Sequence, residues 1–197
     1  RDVTPPTIDI DAHAISVGAV MNIAESADDL TLGGATTAED GQEVTVTIAG
    51  TEFTTQAENG AWTLTIPNAN LPAIADGDTV QITADVSDLA GNPATQATAS
   101  FDADLSAPTI AITTPIATDG TLNIAERDDG ISIGGTTTGA EDGQTVTVTV
   151  DGIEYTTTVE GDAWSIALPA GNLSEITDGA TVTVTADVSD LAGNPAQ

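Results

Sequence analysis

The chain has 197 residues, room for one large domain or two small ones, and sets 31 acidic side chains against two basic ones, Arg1 and Arg127, for a formal net charge of −29. That balance argues against nucleic acid or an anionic membrane as a partner, because phosphate contacts need Lys or Arg, and it makes a cation the natural counterpart. Cysteine is absent, so no disulfide can form, and no apolar run approaches the roughly 20 residues that span a bilayer.

Many acidic, aromatic-poor chains are disordered. This one is 40% hydrophobic and regularly patterned, which argues for a folded protein. Taken in chain order, seven strands are expected in the first half: about 7–11, 29–37, 43–49, 52–58, 61–67, 79–87 and 94–103. Val44, Val46 and Ile48 alternate with threonines, as do Trp62, Leu64 and Ile66, and Val80, Ile82, Ala84 and Val86 continue the pattern. Period-two alternation in Val/Ile/Thr-rich runs marks half-buried strands. Asp-Gly and Asn-Gly pairs beginning at Asp40, Asn59 and Asp76 punctuate them as turns. NIAESADD and NLPAIADG fit single helical turns between strands. Trp62 and Trp164 are each in phase with apolar neighbours and read as core residues.

The second half repeats the first. PPTIDI at 5–10 returns as APTIAI at 107–112, AEDGQ at 38–42 as AEDGQ at 140–144, and DVSDLAGNP at 85–93 as DVSDLAGNP at 187–195, all 102 residues on. NIAE is offset by 101, so one residue slips in a loop. The chain therefore reads as two copies, 1–103 and 104–197, joined by a linker at about 102–107. The second copy stops before the counterpart of the last strand. RDVTPP at the start reads as the cut edge of something longer, and no signal-peptide pattern opens the chain. Seven short strands in about 100 residues point to an all-β chain. The expectation is two tandem immunoglobulin-like sandwiches end to end, the second lacking its last strand, which leaves an exposed sheet edge.

This topology gives the acids addresses. With alternating strand directions, the loops after the second and sixth strands share the leading pole of a unit. The loops after the first and fifth strands, with the end of the seventh, share the trailing pole. In the second copy the leading pole collects Glu141, Asp142, Asp187, Asp190 and Asn194. The trailing pole of the first copy collects Glu25, Asp28, Asp29, Asp76 and Asp78, and the linker FDADLSAP adds Asp102 and Asp104. Two acidic poles are thus expected to meet across an acidic linker. In the first copy, Asp40, Asp85 and Asp88 occupy the leading pole, opposed only by Asp2. Two carboxylates about 5 Å apart repel by roughly 3 kcal/mol at an effective dielectric near 20. Ca2+ suits such a site, being hard and tolerant of irregular oxygen shells. Zinc does not, with one histidine and no cysteine. The alternative is a solvated loop in which the aspartates only cap turns. DGTLNIAE at 119–126 matches the second half of an EF-hand loop but not the first, so Asp119 and Glu126 are expected at most to contribute to a calcium site.

The repeat resembles the bacterial Ig-like extender repeats of giant RTX adhesins exported by type I secretion. The resemblance rests on APTI, NIAE, GGTTTGAEDGQTVTVTV, the aromatic-initiated strand after GDAW, and DVSDLAGNPA, in that order at a period near 100. It implies a stalk of many units, stiffened by calcium at its junctions, that projects a distal adhesive domain from the bacterial surface for attachment and biofilm formation. It also implies calcium-bearing poles at Asp85, Asp88 and Asn92 and at Asp187, Asp190 and Asn194. AISVGAVM in the first copy lacks the usual aspartate-glycine. The expected partners are neighbouring repeats of the same chain, with no nucleic acid, membrane insertion or small-molecule substrate, and the chain is expected to be monomeric and extracellular. A loop-borne glycan- or protein-binding module is the alternative, but aromatics are 3% of residues and the two copies keep nearly the same loops. An enzyme is not expected: His13 is the only histidine and has no second-copy counterpart.

Overall fold

The computed structural model describes residues 2–197, which divide into two compact units, one ending at Leu105 and the other spanning Ser106–Gln197. The first unit contains β1 (Val20–Met21), β2 (Leu30–Ala35), β3 (Glu43–Ile48), β4 (Thr51–Gln56), β5 (Ala61–Ile66), β6 (Thr79–Val86) and β7 (Ala97–Ala103). One sheet runs β1-β7-β6-β3-β4 and the other pairs β2 with β5. The alternation read from sequence decides which side chains meet between them. Val44, Val46 and Ile48 from β3, Val80, Ile82 and Ala84 from β6, and Trp62 and Ile66 from β5 are all buried, while intervening threonines remain wetter.

The first expected strand is reshaped. Residues 7–11 form one isolated bridge, Ile8 to Thr36, although the Asp9 and Asp11 amides still donate to the Ala35 and Gly33 carbonyls at 3.0 and 2.9 Å. Gly34 permits that approach, because a Cβ there would collide with the Asp9 carbonyl oxygen; Gly135 stands in the same relation to Ala111. After a short 3-10 turn at Ala12–Ala14 the chain crosses to the other sheet, where β1 runs parallel to β7. That crossing was not expected from sequence: AISVGAVM is apolar without alternation. The turn at NIAESADD forms, as a 3-10 helix over Glu25–Ala27. The one expected in NLPAIADG lies earlier, at Asn68–Asn70. Pro72 removes a backbone donor from the segment that would have carried it.

The second unit repeats the plan with β8 (Thr109–Ile112), β9 (Ile131–Thr138), β10 (Thr145–Val150), β11 (Ile153–Thr158), β12 (Ala163–Leu168) and β13 (Val184–Val188). Its sheets are β11-β10-β13 and β12-β9-β8. Its core centres on Trp164, Val146, Val148, Ile133 and Leu168. A helix over Ile124–Asp129 replaces the first unit's 3-10 turn. No strand follows β13 among the described residues, and β10 is the strand that pairs with it, while β8 lies close by. The chain is all-β, in Ig-like sandwiches. No helix among the described residues is long and apolar enough to cross a membrane.

Candidate functional site

The repeated stretch DVSDLAGNP forms the same clamp in both units. Asp88 is buried, and its Oδ1 accepts the Asn92 backbone N–H while its Oδ2 accepts the Asn92 Nδ2–H, both at 2.8 Å. Asp190 and Asn194 reproduce this at 2.8 and 2.9 Å, with both residues buried. Backbone bonds close the turn: the Gly91 amide donates to the Asp88 carbonyl, and the Asp88 amide to that of Asn92. Asn92's side-chain amide holds the Asp88 carboxyl below the usual aspartate range. Burial opposes that shift, and backbone N–H groups reinforce it. The carboxylates of Asp88 and Asp190 therefore brace a turn, as an Asx-type cap does.

A neighbouring loop locks each turn from outside. Glu39 Oε2 accepts the Leu89 amide at 3.0 Å, and Glu141 Oε2 accepts the Leu191 amide at 2.8 Å. Asp40 Oδ1 accepts from the Asn59 amide and Asp142 Oδ1 from the Gly161 amide, both at 2.7 Å. Asp85 takes the Gln96 Nε2–H at 2.8 Å, whereas Asp187 is exposed on β13. The leading-pole acids are thus brought to one end of each unit, and most are engaged with that unit's own backbone.

At the other end of the first unit, a second acidic group converges on the end of β7. Asp76 Oδ1 accepts the Leu105 amide at 2.7 Å, Asp78 Oδ2 the Ala75 amide at 2.7 Å, and Asp102 Oδ1 the Thr79 hydroxyl at 2.7 Å. The Asp104 amide donates to the Met21 carbonyl, so β1 ties the segment carrying Asp102 and Asp104 to the fold. Asp29 Oδ1 accepts from the Asn68 amide at 2.9 Å. Asp2 Oδ1 caps Thr4 at 2.9 Å.

Glu25 and Glu126 have a clear local task. Asn22 Oδ1 accepts the Glu25 amide and Glu25 Oε2 the Asn22 amide, at 2.9 and 3.0 Å. Asn123 and Glu126 repeat this reciprocal capping box at 3.0 and 3.1 Å. Asp119 Oδ1 accepts the Thr121 amide at 2.8 Å. The EF-hand-like half-motif thus folds as a turn followed by a capped helix. The capping box was missed in the sequence, although Asn-x-x-Glu ahead of a helical turn is its signature.

The donors at these poles are hard oxygens suited to calcium. Among the described residues, however, no three Asp, Glu, His or Cys side chains converge closely enough to hold a metal ion. Basic neighbours are equally scarce: Arg127 pairs with Asp128 at 3.1 Å, and exposed His13 lies 3.3 Å from Asp11. Surface hollows do not gather reactive groups. One is lined by Thr55, Gln56, Glu58 and Trp62, another by Thr145, Thr147, Asp187 and Ser189.

The family profile of the bacterial Ig-like domain matches residues 2–105. The chain belongs to the bacterial Ig-like domain family. Two solved structures are similar to this bacterial Ig-like chain at 28% identity. One comes from a 1.5-MDa bacterial ice-binding adhesin and bears on its host cell surface retention; it has a TM-score of 0.60 over 99% of this chain and 63% of the other. The second is a Ca2+-stabilized adhesin with which an Antarctic bacterium reaches out and binds ice; the TM-score is 0.62 over 98% of this chain and 47% of the other. The chain thus spans roughly half to two thirds of these two adhesin structures. Fibronectin(III)-like modules of Clostridium thermocellum CbhA share the fold at 13% identity, TM-score 0.50, over 98% of this chain and 89% of theirs. Comparison with functionally curated proteins returns no match.

Proposed function

We propose that these bacterial Ig-like units are extender repeats of a bacterial surface adhesin. They serve as structural segments of a calcium-stiffened stalk that projects a distal adhesive domain for attachment and biofilm formation. The observation that carries this reading is the duplicated clamp. Asp88–Asn92 and Asp190–Asn194 build the same turn, each locked by an equivalent glutamate. Loops that bind ligands diverge, whereas these are kept as matching structural parts. The similarity to surface adhesins supports the same reading, including the extracellular location and neighbouring repeats as partners.

Calcium is the proposed cofactor. The charge of −29 favours a divalent cation, and one similar adhesin is Ca2+-stabilized. The proposed ligands are Asp102 and Asp104 in the linker, with Glu141, Asp142, Asp187, Asp190 and Asn194 from the second repeat. Asp2, Asp40, Asp85 and Asp88 form the weaker counterpart in the first. Glu25, Asp119 and Glu126 contribute at most a single oxygen each. Because many of these oxygens cap backbone amides, calcium must compete with existing hydrogen bonds, and binding is coupled to rearrangement of the loops. Calorimetric titration of the 197-residue chain with calcium tests this. Heat that saturates, and that Asp102→Asn with Asp104→Asn strongly weakens, is expected. No saturable heat in the parent chain, or unchanged binding in the double variant, overturns the linker site.

A further inference from the structure

The hairpin that joins β4 to β5 turns on two residues. Glu58 and Ala61 exchange backbone hydrogen bonds at 2.8 and 3.1 Å, and Asn59 and Gly60 form the exposed tip, both with positive φ, 54° and 79°. Asn-Gly is a preferred pair for such a turn. It is also a reactive pair, because Gly60 has no Cβ to shield its amide nitrogen from the Asn59 side chain. No other asparagine in the chain is followed by glycine. Asn92 and Asn194 precede prolines, whose nitrogen carries no proton to give up. Asn22 and Asn123 have their side chains committed to capping boxes, and Asn68 donates to the Ser26 carbonyl. Those three, like Asn70 and Asn172, precede residues that bear a side chain.

The tip is held at both shoulders. Asp40 Oδ1 accepts the Asn59 amide at 2.7 Å, and the Gly60 carbonyl accepts the Thr36 amide at 3.0 Å. The Gly60 amide between them donates to no described residue. We propose that Asn59 is a self-modification site, deamidated by attack of the Gly60 nitrogen, and that Asp40 sets the rate. Hydroxide takes the Gly60 amide proton, and the nitrogen attacks Asn59 Cγ. The N–Cγ bond forms as the Cγ–Nδ2 bond breaks, and ammonia leaves with a proton from water. The intramolecular placement of the two groups is what makes the step accessible. Water then opens the cyclic imide at Cγ, giving aspartate, or at the backbone carbonyl carbon, giving isoaspartate. Ring closure requires rotation about the Asn59 Cα–C bond, which the Asp40 and Thr36 hydrogen bonds resist. The product sets a new carboxylate in the turn that the Asp40 carboxylate braces, so the two charges repel, and isoaspartate also lengthens the backbone of the tip. The second unit's tip is Gly161–Asp162, with φ of 58° and 60° and no side-chain amide to lose, so this turn converts in the first unit only.

The test incubates the whole 197-residue chain at mildly alkaline pH and maps it by peptic digestion in acid and mass spectrometry. Asn59 should lose its amide before any other asparagine, faster as pH rises, with isoaspartate appearing at position 59. Asp40→Ala should speed the conversion about 10-fold, the scale of one hydrogen bond to a charged acceptor. Asp40→Asn, which keeps the shape and a neutral acceptor, should speed it less. Asp142→Ala, at the same place in the second unit, should leave the Asn59 rate unchanged. An Asn59 amide that persists while other asparagines convert overturns the site. Equal rates in the parent and both Asp40 variants, or an acceleration in Asp40→Asn that reaches Asn22 and Asn68 to the same degree, overturn the role of Asp40.

Discussion

At the scale of residues, Asp88 and Asp190 show why a carboxylate beside a Gly-Asn-Pro turn need not be a ligand. Their oxygens accept from an asparagine four residues on, in a pairing that is buried in the second unit and part-buried in the first, so a cation there has to displace those hydrogen bonds. Asn194→Ala leaves the buried Asp190 carboxylate short of a donor, and should cost about 1–3 kcal/mol in chemical denaturation of the second unit. The depressed Asp88 pKa gives a pH dependence of fixed sign. Its contribution to stability is fully present above the ordinary aspartate pKa and is lost as pH falls through the lower folded value. Thermal melts of Asp88→Asn should therefore lose less stability on acidification than the parent; an identical acid limb would refute this assignment. The two tryptophans offer a further contrast. Trp62 Nε1 donates to the Asp9 carbonyl at 3.0 Å, whereas buried Trp164 Nε1 has no hydrogen-bond partner. Trp62→Phe should cost about 1–3 kcal/mol more than Trp164→Phe, because only the former breaks a hydrogen bond. Equal losses in urea unfolding would contradict this.

At the scale of elements, β7 completes the first core. Phe101→Ala should destabilise that unit by about 3–5 kcal/mol, the usual cost of emptying a buried aromatic site. Because the two units have separate apolar cores, calorimetry should show the unfolding transition of the second unit unchanged. Six of the seven strands expected in the first copy were legible in sequence, because Val/Ile alternation with threonine states both the strand and its buried face. The first was legible only as a bridge. Its fate depends on a close approach to Gly34 and on a crossover through AISVGAVM, and a non-alternating run of small apolar residues specifies neither. The capping boxes were a different kind of miss. Glu25 and Glu126 stood among many acids and were weighed as charges, while their spacing from Asn22 and Asn123 carried the structural message.

At the scale of the whole molecule, the charge dominates. With 31 acids and two basic residues, self-repulsion opposes the folded state, and added sodium chloride should raise the melting temperature of calcium-free protein by screening it. The grouping of acids at the ends of each unit was legible from strand alternation. Which oxygens were already committed to backbone amides was not, because such bonds depend on loop conformations that residue spacing alone does not determine. The central claim is that calcium stiffens the repeats into a stalk. Small-angle X-ray scattering of the 197-residue chain, in calcium and then in excess chelator, tests it most directly. The account predicts a maximum dimension that is larger with calcium and shrinks, with a broadened distance distribution, when calcium is removed. An unchanged maximum dimension and distribution would contradict it.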